Sequence, residues 1–244
     1  MKKFLLTVIF SLSFFTSCGE NFKENVNLYA DKNLNILVKE ITKVYENNNK
    51  NIKINILTEK PKNLQSLDII ISADEKVLFS ASEENKGNLN YKEHFNNDFF
   101  TDDSIILIGR RKLNDLNDLL YSHIVSPNYD NIIGKIFIDN LSHLEIFKEI
   151  SKKIEYSDDS ISAMESVELY ESDYAVINSL LLNSVKNSQV CLILSKVDEE
   201  GKKIEEKITY KRFINKDSSE NSKKFYDFLE SNKVLKIIEK HKKI

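Results

Sequence analysis

No tryptophan, two cysteines, two prolines, five glycines and four histidines occur among 244 residues, and these scarcities close several routes to function. Two thiols far apart, Cys18 and Cys191, give no disulfide framework. Cys191 stands in the apolar run Val190-Cys191-Leu192-Ile193-Leu194 and reads as a small core residue. The glycines build no Gly-x-Ser-x-Gly nucleophile elbow, and Gly134-Lys135 lacks the upstream glycine of a phosphate-binding loop. His94, His123, His143 and His241 lack the short spacings of metal ligands, and no His-Glu-x-x-His occurs. No catalytic residue, metal or cofactor is therefore assigned. The absence of a Pro/Gly/Ser-rich spacer argues against loosely tethered domains and for lobes joined by continuous strands.

What is present begins at the N-terminus. Met1-Lys2-Lys3 is a short positive region, and Phe4 to Phe15 is an apolar stretch too short to span a bilayer. Phe15-Thr16-Ser17-Cys18-Gly19 then has the small residues of a lipoprotein cleavage site. Residues 1–17 read as a signal peptide, Cys18 as the lipidated residue, and residues 18–25 as a tether. The chain is expected outside the cytoplasm, anchored to the cell membrane through Cys18. Cleavage removes Lys2 and Lys3 from 35 basic side chains and leaves 38 acidic ones, taking the net charge from −3 to −5. Such a mildly acidic body has no electrostatic reason to coat nucleic acid.

Hydrophobic periodicity orders the rest. Val26 to Ala30 reads as a strand, followed by a helix with Leu34, Leu37, Val38, Ile41, Val44 and Tyr45 on one face. Ile52 to Leu57 alternates as a strand, and Leu67 to Ser72 is a β-branched run suited to burial on both faces. Strand, helix, strand, strand argues for a parallel α/β sheet. Further strands are expected at Ser104–Gly109, His123–Pro127, Ile154–Tyr156, Tyr174–Ile177, Val190–Ser195 and Ile208–Ile214. Helices are expected at Leu113–Tyr121, from Gly134, at Ser160–Leu169, and as one element over Ser219–Lys242. The acidic pair Asp158-Asp159 reads as helix capping, and Asp102-Asp103 as solvated. Residues 26–103 and 185–244 form one expected lobe and residues 104–184 the other. The fold class is α/β: two Rossmann-like lobes joined by crossover strands, with a ligand cleft between them.

The string Leu67-Asp68-Ile69-Ile70-Ile71-Ser72-Ala73-Asp74-Glu75-Lys76 resembles the crossing segment of bacterial molybdate-binding proteins, the solute-binding subunits of molybdate ABC transporters. The likeness extends to Tyr29–Leu34, Val125–Gly134, Asp158–Ser179 and Ser222–Leu229, nearly the whole mature chain. It implies a type II periplasmic-binding-protein fold, a monomer, and an ABC permease as partner. It also implies a tetrahedral oxyanion such as molybdate or tungstate held by hydroxyls and by backbone amides at helix starts.

Carried over residue by residue, the family's contact positions fall on Asn33, Thr58, Ile133 with Gly134, Ser160 and Asn178. Most differ in type from the family pattern, and Leu57-Thr58-Glu59-Lys60-Pro61 is shortened and glycine-free. A carboxylate, another oxyanion or a polar organic solute therefore stays open as ligand. For Asn33 and Ser160, plain helix capping competes with ligand contact. Two rival readings also remain: a divergent surface interaction lipoprotein without a transport role, and an exported hydrolase with a site assembled from distant residues.

Overall fold

The computed structural model describes residues 24–59, 64–78, 94–197 and 202–243. The expected signal peptide, Cys18 and most of the tether lie outside them. Strand β1 (Glu24–Ala30) leads through a 3₁₀ turn at Lys32–Leu34 into helix α1 (Asn35–Asn48). Its stripe of Leu37, Val38, Ile41 and Tyr45 is buried, as the helical spacing predicts. Strands β2 (Ile52–Leu57) and β3 (Ile69–Ser72) both run parallel to β1. All four residues of β3 are buried, and its alternation divides two cores: Ile69 and Ile71 face the α1 side, and Ile70 packs with Tyr29, Leu64 and Phe213.

Strand β4 (Phe95–Gly109) is the element that joins the lobes. Hydrophobic patterning predicts it only from Ser104. The earlier half is rich in Asn and Asp and half exposed, so it carries no apolar signature. After it come β5 (Ile124–Pro127), α2 (Ile132–Ser142), a short helix α3 (Phe147–Ile150), β6 (Ile154–Ser157), α4 (Ser160–Glu168) and β7 (Tyr174–Asn178). The expected helix at Leu113–Tyr121 is a 3₁₀ helix over Leu116–Tyr121, started by the Asp115 side chain accepting from the Asn117 N–H at 2.6 Å.

The chain returns through β8 (Gln189–Ile193), a hairpin of β9 (Ser195–Val197) and β10 (Lys203–Glu205), and β11 (Lys207–Asn215). It ends in α5 (Glu220–Phe228) and α6 (Asn232–His241). The single helix expected over Ser219–Lys242 is thus two. Ser231 interrupts it, its hydroxyl capping α6 by accepting from the Val234 N–H at 3.3 Å.

The strand order is β2-β1-β3-β11-β4-β7-β5-β6, with β8 also on β4. The sheet is mixed rather than parallel, because β4 and β11 pair antiparallel. Residues Phe95–Ser104 of β4 pair with β11 in the first lobe, and Ile105–Gly109 pair with β7 and β8 in the second. Strand β8, counted with the first lobe from sequence, hydrogen-bonds into the second sheet. Cys191 on β8 is half-buried rather than a core residue, its thiol directed at the Arg111 carbonyl at 3.2 Å.

The C-terminus locks this crossing from behind. The buried His241 ring bridges the Glu40 carboxylate on α1, at 2.9 Å, and the Leu180 carbonyl beyond β7, at 3.1 Å. Lys242 donates to the Asp102 carbonyl on β4. Under α5, the buried Arg212 guanidinium donates to the Tyr226 carbonyl at 2.6 Å, stacks on the Tyr226 ring and pairs with Glu230. These ties hold the first-lobe framework against which the cleft is built.

Candidate ligand-binding cleft

The first lobe offers the 3₁₀ turn after β1, and the second offers the N-termini of α2 and α4. All three meet at one carboxamide. Asn33, buried on the first turn, donates from Nδ2 to the Asn131 Oδ1 at 3.1 Å, and Asn131 Nδ2 donates back to Asn33 Oδ1 at 3.3 Å. The Ser160 N–H at the start of α4 donates to the same Asn33 Oδ1 at 3.3 Å. Asn131 is the N-cap of α2, its Oδ1 also accepting from the Ile133 N–H at 3.0 Å. A first-lobe side chain therefore accepts from one second-lobe helix start and pairs with the cap of the other.

Asn33 caps neither its own 3₁₀ turn nor α1. Residue 33 lies inside the 3₁₀ turn, and α4 is capped by Asp159, which accepts from the Ser162 N–H at 2.9 Å. Ser160 is instead the first helical residue, fully buried, with its Oγ lacking any hydrogen-bond partner. Plain capping thus does not account for the Ser160 hydroxyl, whereas Asn33 serves the start of α4 from the other lobe through the Ser160 N–H.

A second buried polar group centres on a carboxylate that the sequence pattern assigns to solvent. Asp103 is 1% exposed. It accepts from Asn178 Nδ2 at 2.6 Å, the Ser179 hydroxyl at 2.5 Å, the Leu180 N–H at 3.2 Å and the Ser104 N–H at 2.9 Å. Desolvation pushes its carboxyl up to about 6, although those donors and Lys242 oppose the rise. The bond to Asp103 also fixes the Asn178 amide: Nδ2 points at the carboxylate, and Oδ1 is buried without a partner.

Tyr210 on β11 sits beside Asn33 and within the fields of Asp103 and Asp31. It is fully buried, its hydroxyl has no good hydrogen bond, and it lies toward Asn33, Asp103 and Asp31. Burial and the fields of the two carboxylates hold the phenol well above its usual range. Asp31 is raised to about 6 by desolvation, despite accepting from the Ala73 N–H and the Ser72 hydroxyl, each at 2.9 Å. The Ser72-Ala73 part of the family-like string is therefore structural: it clamps the turn that presents Asn33.

The six sequence-predicted positions divide. Asn33 and Ser160 meet directly, and Asn178 is held by Asp103. Ile133 is buried in the core and its N–H is taken by Asn131. Gly134 allows the start of α2 to lie against the β5 end, since a Cβ there would fall 2.0 Å from the Pro127 carbonyl oxygen. Thr58 is half-buried just after β2. Its neighbour Glu59 lies 4.0 Å from Lys32 on the rim. Asn131, Asp103 and Tyr210 escape sequence reasoning. Only Asn131, an Asn just before an apolar helical run, carries a local signal.

Among the described residues no group of three or more His, Cys, Asp or Glu side chains is placed to hold a metal ion. A separate surface hollow of about 420 Å³, lined by Tyr121, His123, Lys152 and Glu155 among others, lies on the second lobe away from the junction.

No protein-family model and no curated protein matches the chain. Solved structures do. The substrate-binding domain of a putative molybdenum ABC transporter from Clostridium difficile superposes with a TM-score of 0.63 at 20% identity, covering 89% of this chain and 96% of that one. The periplasmic molybdate-binding protein of Azotobacter vinelandii gives 0.63 at 12% identity, covering 88% and 97%. Peb3 from Campylobacter jejuni gives 0.62 at 16%, covering 88% and 97%. The chain has the type II periplasmic-binding-protein fold. In this fold the junction of Asn33, Asn131 and Ser160 lies between the two lobes, where β4 crosses from one sheet into the other.

Proposed function

We propose that the chain is the solute-binding subunit of an ABC importer. In this reading it is held outside the cytoplasm by a lipid on Cys18, captures a small oxyanion or polar solute between its lobes, and hands it to a permease. One observation carries this reading. Ser160 Oγ at the start of α4 and Asn178 Oδ1 at the end of β7 are buried without hydrogen-bond partners, and buried polar atoms are ordinarily paired. A solute bridging the lobes satisfies them and favours the closed state by its differential affinity. The similarity to molybdate-binding structures makes molybdate and tungstate natural candidates, and a Peb3 structure described as bound to L-phospholactate makes phosphorylated acids another. No step of this function requires a catalytic residue.

Thermal unfolding of the mature chain is the direct test, with molybdate, tungstate, sulfate, phosphate and small carboxylates offered in turn. A ligand at a hundred times its Kd stabilises by about 2.7 kcal/mol. For a chain of this size that is a rise in Tm of roughly 5–10 °C. No rise with any of them would reject the reading. For the anchor, Cys18→Ser is expected to move the protein from the membrane fraction to the soluble fraction without altering ligand-induced stabilisation. Retention of that variant on the membrane would refute lipidation at Cys18.

A further inference from the structure

We infer that Asn33 is a latch built into the chain: its carboxamide closes the two lobes on each other by taking an acceptor's place at the start of α4, and a solute has to displace it. The closure stands apart from the solute-binding reading; the displacement rests on it. Three bonds carry the inference, and all run from one first-lobe side chain to second-lobe helix starts. Asn33 Oδ1 accepts from the Ser160 N–H and from Asn131 Nδ2, each at 3.3 Å, and Asn33 Nδ2 donates to Asn131 Oδ1 at 3.1 Å. The Ser160 N–H belongs to the first turn of α4, where no intrahelical acceptor exists. The cap, Asp159, serves the Ser162 N–H instead. An oxygen from outside the helix completes such a start, and a bound anion is well suited to supply it. Here the chain supplies its own.

The latch is held firmly on its own side of the cleft. Asp31, two residues before it, accepts from the Ser72 hydroxyl and the Ala73 N–H at 2.9 Å each, and its carbonyl accepts from the Leu34 N–H at 2.8 Å. Just beyond, Ile36 on the first turn of α1 packs against the second-lobe cluster that includes Ile106, Val125, Ala163 and Met164. Polar and apolar contacts thus close the same edge. Asn33 is 4% exposed and Ser160 is fully buried, so the meeting point is filled by protein. A carboxamide is a weaker partner for a helix start than an anion, because it brings no charge to the positive end of the dipole. It therefore holds the lobes together and still yields to a charged oxygen. A closed resting state lowers apparent affinity in proportion to the fraction of molecules able to admit solute.

Small-angle X-ray scattering of the mature chain without added anion decides the closure. The wild type is expected to fit the closed structure. Asn33→Ala removes all three bonds, and Ser160→Pro removes the α4 N–H while suiting the first position of a helix; both are expected to show a larger radius of gyration. Cooperative melts establish which variants are folded, and one folded variant suffices. A radius unchanged from wild type, or a wild type already wider than the closed structure, would overturn the latch. Titration with molybdate, tungstate, sulfate, phosphate and small carboxylates then separates displacement from direct contact. Asn33→Ala leaves both helix starts in place, so the anion that binds the wild type is expected to bind it about tenfold more tightly. Ser160→Pro is expected to lose that anion. Weaker binding by Asn33→Ala would make Asn33 a ligand contact and overturn the displacement. Binding of none by any of the three chains would reject the solute-binding reading, and displacement with it, while the scattering result for closure stands.

Discussion

Replacing Asp103 with alanine is expected to cost about 3 kcal/mol at pH 7 and to flatten the dependence of stability on acid. The loss arises because one carboxylate gathers the Asn178 amide, the Ser179 hydroxyl and the Leu180 N–H, which are buried around the crossing of β4. Deleting the acceptor strands those donors at about 1–3 kcal/mol each, partly offset by removal of a desolvated charge. The pH effect has a definite sign. Asp103 and Asp31 hold their protons to about 6 in the folded state, above the ordinary aspartate value of 3.8. The folded protein therefore binds more protons than the unfolded chain between those values, and stability rises as pH falls through 6 and levels off below about 4. A proton held over a pH interval of that width is worth about 3 kcal/mol for each carboxyl.

Opposing groups act lower on the scale. Asp173 is held below its usual range by the His123 N–H. Glu168, against desolvation, is held low by the Ser188 hydroxyl and neighbouring N–H groups. Their stabilisation is lost only as pH falls below the ordinary carboxylate range. Calorimetry from about pH 7.5 to 4.5 should thus show Tm climbing toward about pH 5, with roughly half the slope gone in Asp103→Ala. A wild-type Tm that falls steadily over that interval would contradict the buried, proton-holding state of both carboxylates.

Gly134→Ala is expected to lower stability by about 3 kcal/mol, a drop in Tm of roughly 10 °C, and to weaken ligand binding. An ideal Cβ there lies 2.0 Å from the Pro127 carbonyl oxygen and 2.4 Å from that of Asn128. Both obstacles are backbone, so no side chain can swing aside. The start of α2 must lift off the β5 end, carrying Asn131 away from Asn33. Thermal melts give the first effect, and titration with whichever anion stabilises the wild-type chain gives the second. A substitution tolerated within about 1 °C would mean that α2 does not sit this closely on β5.

Ile69-Ile70-Ile71 announces a doubly buried strand, since a run of β-branched side chains on both faces suits little else, and β3 is buried throughout. The α1 stripe is equally legible because a 3.6-residue period needs only local sequence. By contrast, Phe95 to Asp103 has no apolar alternation, because its pairing is with β11, far onward in the chain. Antiparallel pairing of that kind leaves no mark on either segment alone. The break at Ser231 is hidden for another reason: the apolar period of the last helix resumes almost in phase after its cap.

The cleft shows the same division. Asn33, Ser160 and Asn178 are legible through likeness to a known pattern. Their roles are not, because Asn33 and Asn131 are 98 residues apart and Asp103 and Asn178 are 75 apart. Asp103 looks solvated because an aspartate beside another aspartate ordinarily is.

The sequence by itself determined the α/β character, the position of most strands and helices, and the absence of recognisable catalytic motifs. These follow from periodicity and residue chemistry over a few turns. Only the tertiary structure decided which carboxylates are buried, which way the Asn178 amide points, and that a first-lobe carboxamide occupies a second-lobe helix start. Burial and hydrogen-bond direction depend on neighbours brought together by the crossing of β4 and the return of β11, and no local pattern encodes them.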